Sequence, residues 1–305
     1  MRIYTHPACL AHDTGPTHAE RPDRLQAVTD ALRDAFADAL DWREAPRAGR
    51  SQLLRVHAAR LLDMVLETQP AQRVMLDPDT VLSPDSAEAA LRAAGAAVAA
   101  VDAVLDGEAV RAFCAVRPPG HHATADTAMG FCLFNNVAVA AAHAFAAHGL
   151  ERVAIADFDV HHGNGTQAIF ERDPRVLFLS SHQMPLYPDT GDANERGVGN
   201  IVNVPLPPGA GSKPFRAAWT TQLLPALDAF RPQLLLISAG FDAHWRDPLA
   251  QLQLEADDYA WLTGELRTIA DRHAQGRIVS LLEGGYDLQA LRECSIAHAG
   301  ALLSP

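Results

Sequence analysis

The chain predicts an α/β protein built on one mainly parallel sheet with helices on both faces. Three observations lead there. Helix and strand candidates alternate along the whole length. Four short apolar runs each end in a glycine-containing turn that carries His, Asp or Tyr, and open α/β sheets bind ligands beyond the carboxyl ends of their strands. No Ser/Gly-rich, Pro-rich or single-charge linker and no internal repeat divides the 305 residues. A single domain over residues 1–305 is therefore expected.

In chain order, a strand candidate at residues 1–4 is followed by a helix candidate at 21–37. Residues 86–105 are Ala-rich, and Arg92 and Asp102 interrupt the apolar run, so the segment reads as a buried helix. A strand at 110–116 leads into Arg117-Pro118-Pro119-Gly120-His121-His122-Ala123, and a helix at 134–148 follows. The strand at 152–156 runs into Asp157-Phe158-Asp159-Val160-His161-His162-Gly163-Asn164-Gly165. Next come a strand at 176–180 and a helix at 213–229. The strand at 233–238 leads into Ser238-Ala239-Gly240-Phe241-Asp242-Ala243-His244, followed by a helix at 256–273. The last strand, 277–282, ends in Glu283-Gly284-Gly285-Tyr286-Asp287 before a helix at 288–302.

Bulk properties narrow the function. A hydrophobic content of 48% is that of an ordinary folded protein. The formal charge of −12 disfavours nonspecific nucleic-acid binding and suits cationic partners such as lysine-rich tails or polyamines. No run of about 20 apolar residues is present, so no membrane span is expected. The four cysteines, Cys9, Cys114, Cys132 and Cys294, form no C-x-x-C pair. With no signal-peptide core at the N-terminus, they point to a reducing, cytoplasmic location. A homo-oligomer is left open.

The segment from Asp157 is the most informative. In an extended backbone Asp157, Asp159 and His161 point to one face. A carboxylate and an imidazole two residues apart can grip a divalent ion, with another carboxylate from elsewhere completing an open site. A polar surface turn is the competing reading, and for Asp242 taken alone a helix N-cap competes.

Together the segments RPPGHHA, GFCLFNN (residues 130–136), DFDVHHGNGTQ (157–167), SAGFDAH and EGGYD resemble the zinc-dependent deacetylases. That family takes in the class II histone deacetylases, their bacterial homologues and the acetylpolyamine amidohydrolases. The run His18-Ala19-Glu20-Arg21-Pro22-Asp23-Arg24-Leu25 is similar to the family's H-x-E-R-P-x-R-L. The resemblance covers residues 5 to 290 and implies the arginase/deacetylase fold, a three-layer α/β sandwich.

It further implies that Asp159, His161 and Asp242 bind one catalytic Zn2+. Such a ligand set carries a charge of −2 and leaves a position open for water or a carbonyl oxygen. Iron(II) or cobalt(II) would also fit so oxygen-rich a set. His121 and His122 become an acid–base pair, His121 oriented by Asp157 and His122 by Asn164. His122 is then the neutral base and His121 the more cationic partner. Tyr286 becomes the hydrogen-bond donor to the oxyanion. Structural K+ is implied at Asp157, Asp159, His161, Ser180 and Ser181, with a second site at the carbonyls of Phe170, Asp173, Val176 and Asn200. Phe131 and Tyr187 would wall an acyl-lysine tunnel, the Gly130 carbonyl would accept the substrate amide N–H, and Arg24 would lie deeper, near Gly284.

The implied activity is hydrolysis of N-acyl-lysine amides on a protein or peptide, with acetylpolyamine as the alternative. The choice turns on Leu249, an apolar residue where polyamine-selective relatives place glutamate. Two further readings are a catalytically silent acyl-lysine binder and an arginase-like ureohydrolase. The intact Tyr286 and ligand set oppose the first. The second requires D-A-H-x-D and D-x-D-x-x-D patterns, and neither occurs.

Overall fold

The computed structural model describes residues 1–304. Ten strands form: β1 Arg2–Thr5, β2 Asp41–Glu44, β3 Val74–Met75, β4 Val81–Leu82, β5 Arg111–Cys114, β6 Val153–Asp157, β7 Val176–Gln183, β8 Ile201–Leu206, β9 Leu234–Ala239 and β10 Ile278–Leu282. Eight of them make one sheet in the order β2-β1-β5-β10-β9-β6-β7-β8, and β3 and β4 pair separately as an antiparallel hairpin. Every pairing in the large sheet is parallel. Such a sheet must be covered on both faces, and β6, β7, β9 and β10 are buried at every residue.

Among the described residues eleven α-helices flank it: α1 Ala8–Ala11, α2 Pro22–Phe36, α3 Arg50–Leu53, α4 Ala59–Glu67, α5 Ser86–Leu105, α6 Asn136–His148, α7 Asn164–Phe170, α8 Ser212–Ala218, α9 Leu224–Phe230, α10 Ala256–His273 and α11 Leu288–Leu303. Helices α2, α10 and α11 pack together, and α5 packs on α6 and on strands β1, β5 and β10. This is the three-layer sandwich expected.

The six strands read from the sequence form the interior of the sheet, and the two it missed are its edges. Strand β2 is Asp-Trp-Arg-Glu and mostly exposed, the charged kind of edge that resists pairing with another chain. Strand β8 contains Pro205, which an edge tolerates because one side needs no N–H donor. The helix expected over 213–229 is interrupted. Pro225 has no N–H to give and crowds the carbonyl four residues back. The backbone loosens into a π-helical turn, Trp219–Leu223, closed by Leu224 N–H donating to the Trp219 carbonyl. The small helices α1, α3, α4 and α7 were not anticipated.

The four motif-bearing loops follow β5, β6, β9 and β10, and these strands lie side by side at the centre of the sheet. Their carboxyl ends face the same way because all four are parallel. One crevice therefore collects them.

Candidate active site

The loop after β6 and the loop after β9 bring three ligand atoms together. His161 Nδ1 lies 3.1 Å from Asp159 Oδ1 and 3.1 Å from Asp242 Oδ2. Each carboxylate has its other oxygen tied to the backbone. Gly284 N–H donates to Asp159 Oδ2 at 2.8 Å, and Val160 N–H donates to Asp242 Oδ1 at 2.8 Å. Asp159 Oδ1 accepts from the His161 main-chain N–H as well, at 2.9 Å, so the oxygens beside His161 Nδ1 are aimed rather than floating. Glycine is required around them: a Cβ at Gly240 would sit 2.1 Å from Asp159 Oδ2, and one at Gly284 2.1 Å from Asp242 Oδ2.

This trio fits a zinc ion. Bonds of about 2.0–2.2 Å in a tetrahedron put neighbouring ligand atoms about 3.3 Å apart, close to the separations seen. Burial opposes charge on His161, yet hydrogen bonds to Asp159 and Asp242 lift its pKa to about 10. The oxygens draw positive charge into their midst, and a divalent cation satisfies them with two charges instead of one. A second cluster, Asp102, His143 and His148, has different geometry. Its Nε2 atoms lie 2.6 and 2.8 Å from one Asp102 oxygen, and Arg55 donates to His143 Nδ1. His143 Nε2 must then carry the proton, which makes this a hydrogen-bonded clasp of α5 to α6.

Asp157 does not join the metal trio, contrary to the reading from alternation alone. The chain leaves the strand at Asp157, and its carboxylate accepts from His121 Nδ1 at 3.0 Å and from Asp159 N–H at 3.1 Å. His122 Nδ1 donates to Asn164 Oδ1 at 2.8 Å. The two imidazoles lie 4.0 Å apart between centroids. Burial disfavours charge on both. For His121 the Asp159 and Asp157 carboxylates outweigh it and hold the pKa well above the usual imidazole range. For His122 burial and the charges of His121 and His161 push it well below.

A cavity of about 240 Å³ leads in, lined by Asp79, His122, Gly130, Phe131, His161, Leu186, Tyr187, Leu249 and Tyr286. Tyr187 stands edge-on to His122 and Phe131 edge-on to Tyr286, with centroids 5.2 and 5.8 Å apart. Phe131 has φ +68, a strained value for a bulky residue. Its N–H donates to Thr80 Oγ1 at 3.1 Å, which holds it there. The Gly130 carbonyl accepts a weak bond from Cys132 Sγ at 3.3 Å. Burial, more than any neighbour, raises the Tyr286 pKa well above that of a free phenol, so its hydroxyl stays a donor.

Beneath Tyr286, Arg24 is fully buried with its guanidinium 4.8 Å from the ring centroid. It donates to the Glu283 carbonyl at 2.6 Å and to Glu20 Oε1 at 2.9 Å. Arg117 grips the same Glu20 in a bidentate pair at 2.6 and 2.7 Å.

Of the residues expected to hold potassium, Asp157 and Ser180 are paired across β6 and β7. Ser180 Oγ is bonded to His182 Nδ1, and Ser181 Oγ accepts from Trp219 Nε1 at 3.0 Å. Among the described residues no N–H donates to the main-chain carbonyls of Asp159 or His161. At the second expected cation site the Asn200 side chain takes part. The carbonyls of Phe170, Asp173 and Val176 do converge, but on the Asn200 side-chain amide, which donates to them at 2.8, 3.0 and 2.9 Å. The Asn200 carbonyl accepts from Phe178 N–H at 2.9 Å.

Three carboxylates were missed. Glu283, fully buried, accepts from Gly120 N–H at 2.6 Å and His121 N–H at 3.1 Å, and so fixes the histidine loop from below. Asp79 sits at the tunnel mouth. Asp247 accepts from Tyr286 N–H. The first belongs to a quoted motif, and its buried setting in a Gly-rich turn was the available signal; the other two leave none in the sequence.

The profile of the Histone deacetylase domain matches residues 18–302. The chain is a member of the histone deacetylase family. It is 45% identical over 290 residues to a histone deacetylase-like amidohydrolase of Pseudomonas aeruginosa, covering 92% of this chain and 75% of that one. A probable deacetylase of Archaeoglobus fulgidus is 40% identical, covering 94% and 81%. The human polyamine deacetylase HDAC10 is 40% identical over 93% of this chain and 44% of its own length. The crystal structure of the HDA15 HD domain superposes with a TM-score of 0.95 at 37% identity, over 99% of this chain and 87% of that one. The fold is thus the arginase/deacetylase fold, and the deacetylase is a hydrolase of amide bonds.

Proposed function

We propose that this deacetylase-family enzyme hydrolyses N-acyl-lysine side-chain amides, with one zinc ion held by Asp159, His161 and Asp242. The observation that carries the reading is the meeting of three things in one narrow passage: the aimed ligand trio, the unequal histidine pair and the phenol of Tyr286. When bound, zinc supplies a Lewis acid for the acyl carbonyl.

The chain's own groups do the rest. His122 donates Nδ1–H to Asn164, so Nε2 keeps its lone pair and is placed to take a proton from the attacking water and return it to the leaving amine. His121, held by Asp157, keeps positive charge beside the reacting centre. The Tyr286 hydroxyl donates to the acyl oxygen as negative charge gathers there. Phe131 and Tyr187 flank the alkyl stem and exclude water. Support for K+ at the first expected site is the pair of carbonyls at Asp159 and His161 without N–H donors.

Leu249 in the tunnel lining favours a peptide substrate, which brings no distant ammonium to the mouth. Asp79 favours the second reading, an acetylpolyamine, since its carboxylate lines the same cavity with Asp77 beside it. A reducing, cytoplasmic setting is proposed from the four buried, unpaired cysteines. Membrane and nucleic-acid partners are not proposed: no described helix is long and apolar enough to cross a bilayer, and the charge is −12. The test is turnover of acetyl-lysine peptide, longer acyl-lysines and acetylputrescine by the zinc-loaded enzyme. Preference for the peptide supports the first reading, preference for acetylputrescine the second, and hydrolysis of none refutes both.

A further inference from the structure

One buried carboxylate near the tunnel takes no part in the steps above. Asp247 follows β9 in the turn beyond Asp242 and is 6% exposed. Its Oδ2 accepts from the Tyr286 main-chain N–H at 2.7 Å, and its Oδ1 accepts from the Leu249 N–H at 3.0 Å. The Leu249 bond is local, a turn closed by an Asp side chain. The Tyr286 bond spans 39 residues and joins two loops. Among the described residues no Arg, Lys or His pairs with this carboxylate, so the two N–H groups are its partners.

Tyr286 needs such a tie. It follows Gly284 and Gly285. The Gly284 N–H and the two glycine carbonyls are held by Asp159, the Phe241 N–H and Arg24, and the bond to Asp247 is what fixes the Tyr286 N–H itself. Burial, then the nearby Asp242, raises the Asp247 pKa to about 7. Both of its oxygens are bonded to main-chain N–H groups of two different loops.

We propose that Asp247 is a positioning residue that sets the catalytic Tyr286 and the mouth residue Leu249 with one side chain. The donor that stabilises the acyl oxygen and the rim that meets the substrate are then a single mechanical unit. This rests on the amide-hydrolase reading above, and the experiment has an arm that does not.

Hydrogen–deuterium exchange is measured on wild type, Asp247→Asn and Asp247→Ala, following residues 245–252 and 283–288. Both segments should lose protection together in Asp247→Ala. Loss in neither, or in the 245–252 segment alone, overturns the coupling. If Asp247→Ala fails to fold, the isosteric Asp247→Asn carries this arm: its amide can accept from only one of the two N–H groups, so at least one segment should lose protection, and loss in neither overturns the coupling.

The second arm is a double-mutant cycle with Tyr286→Phe on acetyl-lysine peptide, at equal metal content. Asp247→Asn should lower kcat roughly 10- to 100-fold, with KM altered less than about 3-fold. In the Tyr286→Phe background the same change should cost less than about 3-fold, because the hydroxyl it positions is gone. Equal losses in the two backgrounds overturn the proposal. A wild type that hydrolyses no acyl amide refutes the hydrolase reading and leaves the exchange arm to decide the coupling.

Discussion

At Tyr286 a single oxygen separates a side chain that donates from one that fills space. The ring packs against Phe131 and the Arg24 guanidinium whether or not the hydroxyl is there. Tyr286→Phe should therefore fold, keep its metal and bind substrate with little change. Its kcat should fall on the order of 10²- to 10³-fold, as for removal of one oxyanion donor. An unchanged rate on an unactivated acetyl-lysine peptide would rule out the role. Trifluoroacetyl substrates should suffer less, because their oxyanion needs less help. The ligand trio gives a second expectation. Each of Asp159 and Asp242 offers one oxygen beside His161 Nδ1, so Asp159→Ala or Asp242→Ala should abolish stoichiometric zinc, measured by elemental analysis after dialysis. Chelation of the wild type should remove activity. Full metal content and rate in either variant would show the ligands to be elsewhere.

At the scale of elements, the site is made by loops following parallel strands, and each loop divides its work. The loop after β9 supplies the Asp242 carboxylate beside His161, the Asp247 tie and Leu249 in the cavity lining. If that lining selects the substrate class, Leu249→Glu should raise kcat/KM for acetylspermidine relative to acetyl-lysine peptide. The pair would be partly hydrated, so a gain of about 5-fold is expected, shrinking as salt rises. A wild type that already strongly prefers acetylpolyamines, with no change in the variant, would show that Leu249 does not set the choice. The motif loops were legible because Asp159 and His161 stand two residues apart, whereas their backbone supports, Gly284 N–H for Asp159 and Val160 N–H for Asp242, come from other loops and were not. Asn200 was not, because a carbonyl cage looks the same in sequence whether a cation or an amide fills it.

At the scale of the molecule, the sheet centre rests on a buried Arg117–Glu20–Arg24 network that links α2 to the loops after β5 and β10. Burial opposes charge on Glu20, but Arg117 and Arg24 outweigh it and hold its pKa far below the usual carboxylate range. A carboxylate depressed in the folded state adds stability above its unfolded pKa and loses it as pH falls towards the folded one. Glu20→Gln should cost about 3–5 kcal/mol in urea unfolding at pH 7, because two arginines are left buried without their partner. That cost should narrow as pH falls below about 4.5 towards the folded pKa. A loss under about 1 kcal/mol at neutral pH would show the network to be dispensable.

By itself the sequence determined the fold class, the six interior strands and the motif residues now gathered at one crevice. Those features are local: an apolar run, a glycine that frees the turn, and ligands two residues apart are all written in adjacent positions. Only the tertiary structure decided that β5, β10, β9 and β6 stand side by side, and that charged β2 and proline-bearing β8 close the edges. It also decided that the Asn200 amide meets the carbonyls of Phe170, Asp173 and Val176, and that Asp247 reaches Tyr286 across 39 residues. Each of these is a hydrogen bond between segments distant in the chain. A buried carboxylate or carbonyl must find a donor, but which donor depends on the strand order that brings the segments together.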